Sequence, residues 1–216
     1  MRSAFAALLC ALIFCATAPA THADGEKAGE FDYYVLSLSW SPNWCATEGA
    51  ARRSPQCDED ADFGWVLHGL WPQYEQGWPA YCRTTEPHPT RAMSQAMADI
   101  MGTPGLAWYQ WKKHGRCTGL SAPDYYALAR SAYEQVNRPA VFRKLDRAVK
   151  LPASVVEQAF LQANPTWTPD MLTITCKDSR IQEARLCLSK TLDPVPCARD
   201  MVQDCRMKNA LLDPID

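Results

Sequence analysis

The sequence lacks several features, and each absence excludes a class of protein. Its 22 basic and 24 acidic side chains give a net charge of −2, so it lacks the positive excess with which proteins coat nucleic acid. Beyond the N-terminus, no segment has the run of about 20 apolar residues that a membrane-spanning helix requires. There is no internal repeat, low-complexity tract or domain linker. We therefore expect one domain and no membrane span.

Spacings typical of metal sites are also absent. None of the ten cysteines forms a Cys-x-x-Cys pair, and no cluster of histidine and cysteine resembles a zinc site. We therefore expect neither a metal ion nor a cofactor.

Residues 1–23 have the composition of an export signal. Arg2 is the only charged residue before Asp24, an apolar run covers residues 4–16, and small residues at cleavage-type spacing follow. The alternative is a buried N-terminal helix. We expect residues 24–216 to form the mature domain, exported to the periplasm or the extracellular space. A short signal and a compact chain suit a bacterial protein.

The cysteines agree with export. After the signal eight remain, an even number, which in an exported chain predicts up to four disulfides. They are Cys45, Cys57, Cys82, Cys117, Cys176, Cys187, Cys197 and Cys205. The residues alone leave their pairing open.

Hydrophobic patterns predict an α+β fold, in which a central antiparallel sheet packs against several helices and disulfides staple the chain. Residues 31–40 have the pattern of a central strand, residues 63–67 of a second short strand, and residues 172–176 and 181–188 of a closing hairpin.

Helical spacing alternates with polar loops between these strands. The predicted helices are residues 90–101, 105–115, 121–136, and a fourth that opens at Ser154 and ends at Asn164. The predicted loops are residues 46–62, which Cys45 and Cys57 could close, and residues 73–89.

His68 follows the second strand directly. We expect it to end that strand and face a cleft. Gly69 then supplies a backbone conformation that other residues resist, and Pro72 ends the regular structure.

A second histidine, His114, closes the helix predicted at residues 105–115. Gln110, Lys113 and His114 share one face of that helix because they are three and four residues apart. Trp108 and Trp111 share another, and we interpret both as core anchors.

Two histidines with an adjacent lysine suit the cleavage of RNA by its own 2′-hydroxyl. That reaction needs a base, an acid and a positive charge beside the phosphorane, and histidine can serve as either base or acid near its usual pKa. His68, His114 and Lys113 form this minimal set, while Trp71 and Tyr74 could stack on a base.

Structural roles are the alternatives for the same residues. A histidine at a strand end is commonly a hydrogen-bonded structural residue, and a Lys-Lys pair is commonly a solvated one. We interpret His88 as a surface residue and expect His22 to be removed with the signal.

Two segments resemble the active-site segments of the ribonuclease T2 family of secreted, often acid ribonucleases. They read HGLWP at residues 68–72 and WKKHGRC at residues 111–117. The first strand through Trp40-Ser41-Pro42 and the hairpin from Cys176 to Cys187 are also similar, so the resemblance covers essentially the whole mature chain.

The resemblance implies endonucleolytic cleavage of single-stranded RNA through a 2′,3′-cyclic phosphate. His114 would be the general base, His68 the general acid, and Lys113 the group that stabilises the transition state. Trp71 matches a position that in the family packs against a base.

The family also suggests disulfides. These are Cys82–Cys117, holding the second active-site helix against the first loop, and the nested pairs Cys176–Cys205 and Cys187–Cys197. Cys45 and Cys57 are left as the fourth pair.

The sequence departs from the family at three positions. Tyr109 and Gln110 replace a histidine and a glutamate, and neither titrates near neutral pH. Both can still donate a hydrogen bond to a phosphoryl oxygen, so we expect activity with an altered rate and pH dependence. Gln73 lies where some members carry an acidic residue linked to base choice, which predicts weak base preference.

Two other functions compete with this hypothesis. A catalytically weakened member would bind RNA without cleaving it, and an unrelated disulfide-rich binding module would ignore RNA. DNA cleavage is not expected because DNA lacks the 2′-hydroxyl. We expect a monomer that acts on single-stranded RNA.

Overall fold

The computed structural model describes residues 26–215, so the predicted export signal lies outside the described residues. In this part of the chain six strands form: Tyr33–Trp40 (β1), Trp65–Gln73 (β2), Val149–Leu151 (β3), Leu172–Lys177 (β4), Arg180–Leu188 (β5) and Ala210–Leu212 (β6). The α-helices are Ser41–Trp44 (α1), Arg91–Gln95 (α2), Ala98–Met101 (α3), Pro104–Lys113 (α4), Ala122–Gln135 (α5) and Ala153–Ala163 (α6).

The strands make one sheet in the order β2-β1-β5-β6-β3, and β4 pairs with β5. The pairs β1–β2, β1–β5, β4–β5 and β3–β6 are antiparallel, whereas β5 meets β6 in parallel at a single pair, Arg180 and Leu211. The predicted α+β fold is confirmed, with a sheet that is mixed at this one point.

The alternation of side chains gives the sheet two different faces. Leu36 and Leu38 of β1 and Leu186 of β5 lie in the main core under the helices. Val35 and Cys187 point to the opposite face and lie in a second, smaller apolar cluster. Because strand side chains alternate, Glu183 and Arg185 share this second face with Cys187.

The second predicted strand is longer than expected. β2 continues through His68 to Gln73, so His68 lies within the strand rather than at its end. Ser37 of β1 pairs with Gly69 and Leu38 with Leu67, which leaves His68 as the extra residue of a β-bulge.

The bulge lets two leucines three residues apart face the same core. Leu67 and Leu70 are both fully buried. A lost ladder hydrogen bond costs about 1 kcal/mol, less than the roughly 1.5–3 kcal/mol gained by burying a leucine. Pro72 does not end the strand, because β2 is the edge strand next to β1 and a missing N–H there leaves no ladder bond unmade.

The helix predicted at residues 90–101 is divided in two. α2 ends at Gln95, and α3 begins at Ala98 and stops before Gly102, whose φ is +79°. The carbonyl of Ala96 accepts a 2.7 Å hydrogen bond from the Arg130 guanidinium instead of the helical bond from the Ile100 N–H. A distant residue therefore breaks the helix.

The remaining predictions are mostly confirmed. α5 begins after Ser121, whose side chain caps the Asp124 N–H, and β4 and β5 form the expected hairpin. α6 begins at Ala153 and has no side-chain cap, so Ser154 is not its cap. The predicted loop at residues 46–62 instead contains a π-helical turn, Cys45–Gly49, that continues α1.

One of the two predicted tryptophan anchors is wrong. Trp111 is buried, but Trp108 is 40% exposed and stacks against His88, which is itself exposed as predicted. The two indoles lie on the same side of the helix but about 60° apart around its axis, and the core covers Trp111 alone.

Four disulfides are formed among the described residues: Cys45–Cys57, Cys82–Cys117, Cys176–Cys205 and Cys187–Cys197. The family resemblance implied the last three of these pairs, and Cys45–Cys57 was the pair left over. In the same range, no helix has both the length and the apolar character needed to cross a membrane, and no group of three potential ligands gathers as a metal site.

Candidate active site

His68 is the extra residue of the β-bulge, and its side chain lies on the second face of the sheet, where it contacts Glu183. Its side chain is 34% exposed, and its Nδ1 is hydrogen bonded to Oε1 of Glu183 on β5. Paired to a carboxylate, Nδ1 carries a proton, so Nε2 is the ring nitrogen left to act on a substrate. His68 lies at one side of a cleft of about 670 Å³.

Glu183 is a residue that the sequence prediction missed. It is only 1% exposed, and its second oxygen, Oε2, accepts hydrogen bonds of 2.8 Å and 2.6 Å from Arg185. Burial alone would raise the pKa of Glu183, but the hydrogen bond from His68 and the charges of His68 and Arg185 outweigh burial and lower it to about 2. The carboxylate is therefore ionised.

A signal for Glu183 was present in the sequence. It interrupts an apolar strand pattern, and a charged residue inside a buried strand needs a partner or a function. Nothing local, however, indicates that the partner is His68, 115 residues earlier.

Trp71 lies between the two histidines. Its ring makes an edge contact with His68, at a centroid distance of 5.2 Å, and stacks on His114 at 5.3 Å. Its Nε1 donates a 2.7 Å hydrogen bond to Oε1 of Gln110, and the Arg185 guanidinium lies 5.5 Å from its ring centroid. The structure thus brings residues of β2, α4 and β5 together around one indole.

His114 occupies the C-terminal end of α4 and is 5% exposed. Burial, followed by the charges of Lys113 and His68, lowers the pKa of His114 to about 3. Its Nδ1 has no hydrogen-bond partner among residues 26–215. The imidazole is therefore neutral near pH 7, and Lys113 is close enough to influence it.

Two links fix the end of α4 beside the sheet. The Cys82–Cys117 disulfide joins the loop after β2 to the turn that follows His114. The backbone N–H of Tyr81 also donates a 2.8 Å hydrogen bond to the carbonyl of Lys113.

Gly69 is needed for space and not for an unusual φ. Its φ lies outside the left-handed region, contrary to the expectation from sequence. A Cβ at this position would lie 2.3 Å from Nε1 of Trp71 and 2.4 Å from Oε1 of Gln110. The glycine makes room for the hydrogen bond between those two side chains.

The structure does not bring all the predicted substrate-binding residues together. Tyr109 is 43% exposed and lines the cleft with His68. Gln73 is buried, and its amide donates to the carbonyl of Pro72 at 2.9 Å. Tyr74 packs partly buried against the main core, and neither Gln73 nor Tyr74 lines the cleft.

Comparison with known families agrees with this arrangement. Residues 31–197 match the sequence profile of the ribonuclease T2 family, which is well over half of the chain. The chain belongs to the ribonuclease T2 family. The matched range contains His68, Trp71, Lys113, His114 and Glu183.

Curated relatives match a shorter part of the chain. It is 43% identical to a ribonuclease of Aeromonas hydrophila over 137 residues, which cover 62% of this chain and 60% of the relative. It is 35% identical to a probable ribonuclease of Haemophilus influenzae over 131 residues, or 55% of this chain and 48% of that one. The chain thus spans about half of the length of these relatives.

Solved structures share the fold over a larger part. An RNase-related protein from Calystegia sepium aligns with a TM-score of 0.64 at 18% identity, covering 85% of this chain and 97% of its own. RNase NT in complex with 5′-AMP aligns with a TM-score of 0.62 at 19% identity, covering 86% and 98%. At such identities the likeness concerns the fold.

Proposed function

We propose that this protein is an endoribonuclease that cleaves single-stranded RNA through a 2′,3′-cyclic phosphate, without a metal ion. One observation carries the proposal: two histidines in different environments, one buried and neutral, the other held by a carboxylate, flank a single indole. Membership of the ribonuclease T2 family supports it.

In the proposed transfer step His114 is the base and His68 the acid. The 2′-oxygen attacks phosphorus while His114 takes the hydroxyl proton, and the bond from phosphorus to the 5′-oxygen breaks as His68 gives that oxygen a proton. Lys113 stabilises the charge on the phosphoryl oxygens. The two histidines exchange roles if the cyclic phosphate is hydrolysed.

The environment of His114 supports its assignment as the base. A base must begin unprotonated, and burial lowers the pKa of His114, which leaves its ring neutral near pH 7. His68 is more exposed and is bonded through Nδ1 to an ionised carboxylate, which leaves Nε2 to give a proton to the leaving oxygen.

The amide of Gln110 takes part through its nitrogen. Its oxygen is occupied by Trp71, which leaves the NH₂ group to donate to a phosphoryl oxygen. Tyr109 lines the cleft and is 43% exposed, and its hydroxyl lies 3.4 Å from that of Tyr81. The predicted contacts of Gln73 and Tyr74 with a base have less support. Gln73 donates to the Pro72 carbonyl, and Tyr74 packs against the main core.

The cleft beside His68 is suited to the nucleotide that leaves with the 5′-oxygen. Despite the net charge of −2, the cations that line it outnumber the carboxylates: Arg52, Arg53, Lys177 and Arg180 against Glu48 and Glu183. Glu48 pairs with Arg52 and Lys177, and Arg180 pairs with Asp213, so Arg53 contributes most of the excess. A local excess of positive charge can attract RNA phosphates without a basic surface overall.

We further propose that the enzyme has weak base preference and is a monomer. We also propose that it acts after export, in an oxidising compartment in which its disulfides persist.

Cleavage of a single-stranded RNA in excess EDTA, compared with DNA of the same sequence, tests this function. We expect RNA alone to be cut. His68→Ala and His114→Ala should each lower kcat/KM by about 100- to 10,000-fold, and His88→Ala, at an exposed histidine that does not line the cleft, should not.

Two outcomes would contradict the proposal. Cleavage that is lost in EDTA, or that survives both histidine changes, would exclude the paired-histidine chemistry. Binding of RNA without turnover by the folded protein would favour the catalytically weakened member instead.

A further inference from the structure

We propose that Glu183 is a positioning residue that prepares His68 to act as the general acid. The inference rests on the proposed function, since it assigns the source of one proton in that reaction. Glu183 lies outside the two segments by which the family is recognised, is only 1% exposed, and contacts the first of those segments through Nδ1 of His68.

The contact is specific in its direction. The carboxylate binds Nδ1 of His68 and therefore fixes both the ring orientation and the tautomer, which leaves Nε2 as the nitrogen free to act on a substrate. A histidine on a β-bulge has no ladder partner to hold its backbone in register, so a side-chain anchor matters more here than on a regular strand.

The carboxylate is itself held in place on a rigid element. β5 lies between β1 and β4, and Glu183 pairs with Ser39 on one side and Thr175 on the other. Arg185 occupies the second carboxylate oxygen and lies over the Trp71 ring. Glu183 thus has one oxygen for Arg185 and one for His68, which satisfies the buried charge on both sides.

A purely structural ion pair between Glu183 and Arg185 would not need His68. Burying the Glu183 carboxylate costs free energy of hydration, which partners of opposite charge must offset. Arg185 alone could provide that compensation. The orientation of the free oxygen toward His68 is the observation that favours a role in proton transfer.

The choice of leaving group distinguishes a positioning role of Glu183 from a purely structural one. An alkoxide such as the 5′-oxygen of a nucleotide needs a proton in order to leave, whereas a 4-nitrophenolate leaves as a stable anion. A variant impaired only in the acid step should therefore cleave a dinucleotide slowly and a uridine 3′-(4-nitrophenyl) phosphodiester at almost the normal rate.

The test compares kcat/KM for these two substrates in Glu183→Gln. We expect a loss of about 10- to 100-fold on the dinucleotide and of less than about 3-fold on the nitrophenyl ester. Asp99→Asn, which removes a carboxylate from an ion pair with Arg130 elsewhere on the chain, is the matched control and should leave the ratio of the two rates unchanged.

The ratio is independent of the fraction of folded enzyme, because partial unfolding lowers both rates equally. If Glu183→Gln does not fold, the double variant Glu183→Gln/Arg185→Met also removes the guanidinium that would be left unpaired, and the same ratio is expected. Equal losses on both substrates would overturn the positioning role and leave a structural one.

Histidine variants keep the two proposals apart. His68→Ala should show the selective loss on the dinucleotide, and His114→Ala should lose activity on both substrates. If His68→Ala behaves in this way and Glu183→Gln does not, the inference about Glu183 fails alone. If His68→Ala shows no selectivity, the proposed acid itself is wrong.

Discussion

At the scale of single residues, the two histidines differ chiefly in their contact with solvent and with charge. His114 is 5% exposed beside Lys113, whereas His68 is about one third exposed and holds Glu183. Two groups of one residue type in such different environments are suited to the separate roles of base and acid that we propose.

The pKa of His114 makes the stability of the fold depend on pH. Its pKa is about 3 in the folded protein and 6.5 as an ordinary value, so between these pH values the unfolded chain binds more protons than the folded one. Glu183, lowered from 4.5 to about 2, acts with the same sign in its own range. Stability should therefore fall as pH falls below about 6.5.

Urea unfolding at several pH values between about 7 and about 4.5 measures this effect. In that window His114→Asn should flatten the decline in unfolding free energy, because the substituted side chain takes up no proton in either state. Parallel declines in the variant and the original protein would show that His114 is not held neutral by burial.

At the scale of elements, the site depends on how β2 and α4 approach each other. The hydrogen bond from Trp71 to Gln110 crosses between them at Gly69, where there is no room for a Cβ. The strand provides His68 and Trp71, and the helix provides Gln110, Lys113 and His114.

Gly69→Ala should disturb this approach. The added methyl group would displace the Trp71 ring from its place between the histidines, and we expect ribonuclease activity to fall by about 10- to 100-fold. Ala127→Ser, which adds one atom at an exposed position of α5 that does not line the cleft, is the control. Activity that is equal in the two variants would contradict the packing argument.

Elements with local signals were predicted well from sequence. β1, α5 and the β4–β5 hairpin have regular apolar periods, and the structure forms them close to the expected bounds. The end of the second strand was misjudged because the bulge at His68 breaks the period of two. The break after α2 could not be foreseen, since it depends on the distant Arg130.

At the scale of the whole molecule, long-range contacts assemble the site. The two histidines could be chosen from sequence because each lies in a recognisable segment. Glu183 could not be joined to His68, because only the pairing of β5 with β1 and of β1 with β2 brings the two side chains to one face.

The distribution of charge is more informative about RNA binding than the net charge of the chain. A chain with net charge −2 nevertheless gathers Lys113 beside His114 and several cations along the cleft. This distribution favours an enzyme that contacts a few nucleotides over a protein that coats RNA.

The chemical identity of the new RNA ends tests the central claim most directly. The protein would cleave, in excess EDTA, a short RNA and a matched strand with a single 2′-deoxynucleotide at the major cleavage site, and mass spectrometry would identify the products at early times. We expect 2′,3′-cyclic phosphate ends from the RNA, and no cut at the substituted nucleotide. Early fragments ending only in an open phosphate, or cleavage at the 2′-deoxy position, would show that the 2′-hydroxyl is not the nucleophile and that the paired-histidine account is wrong.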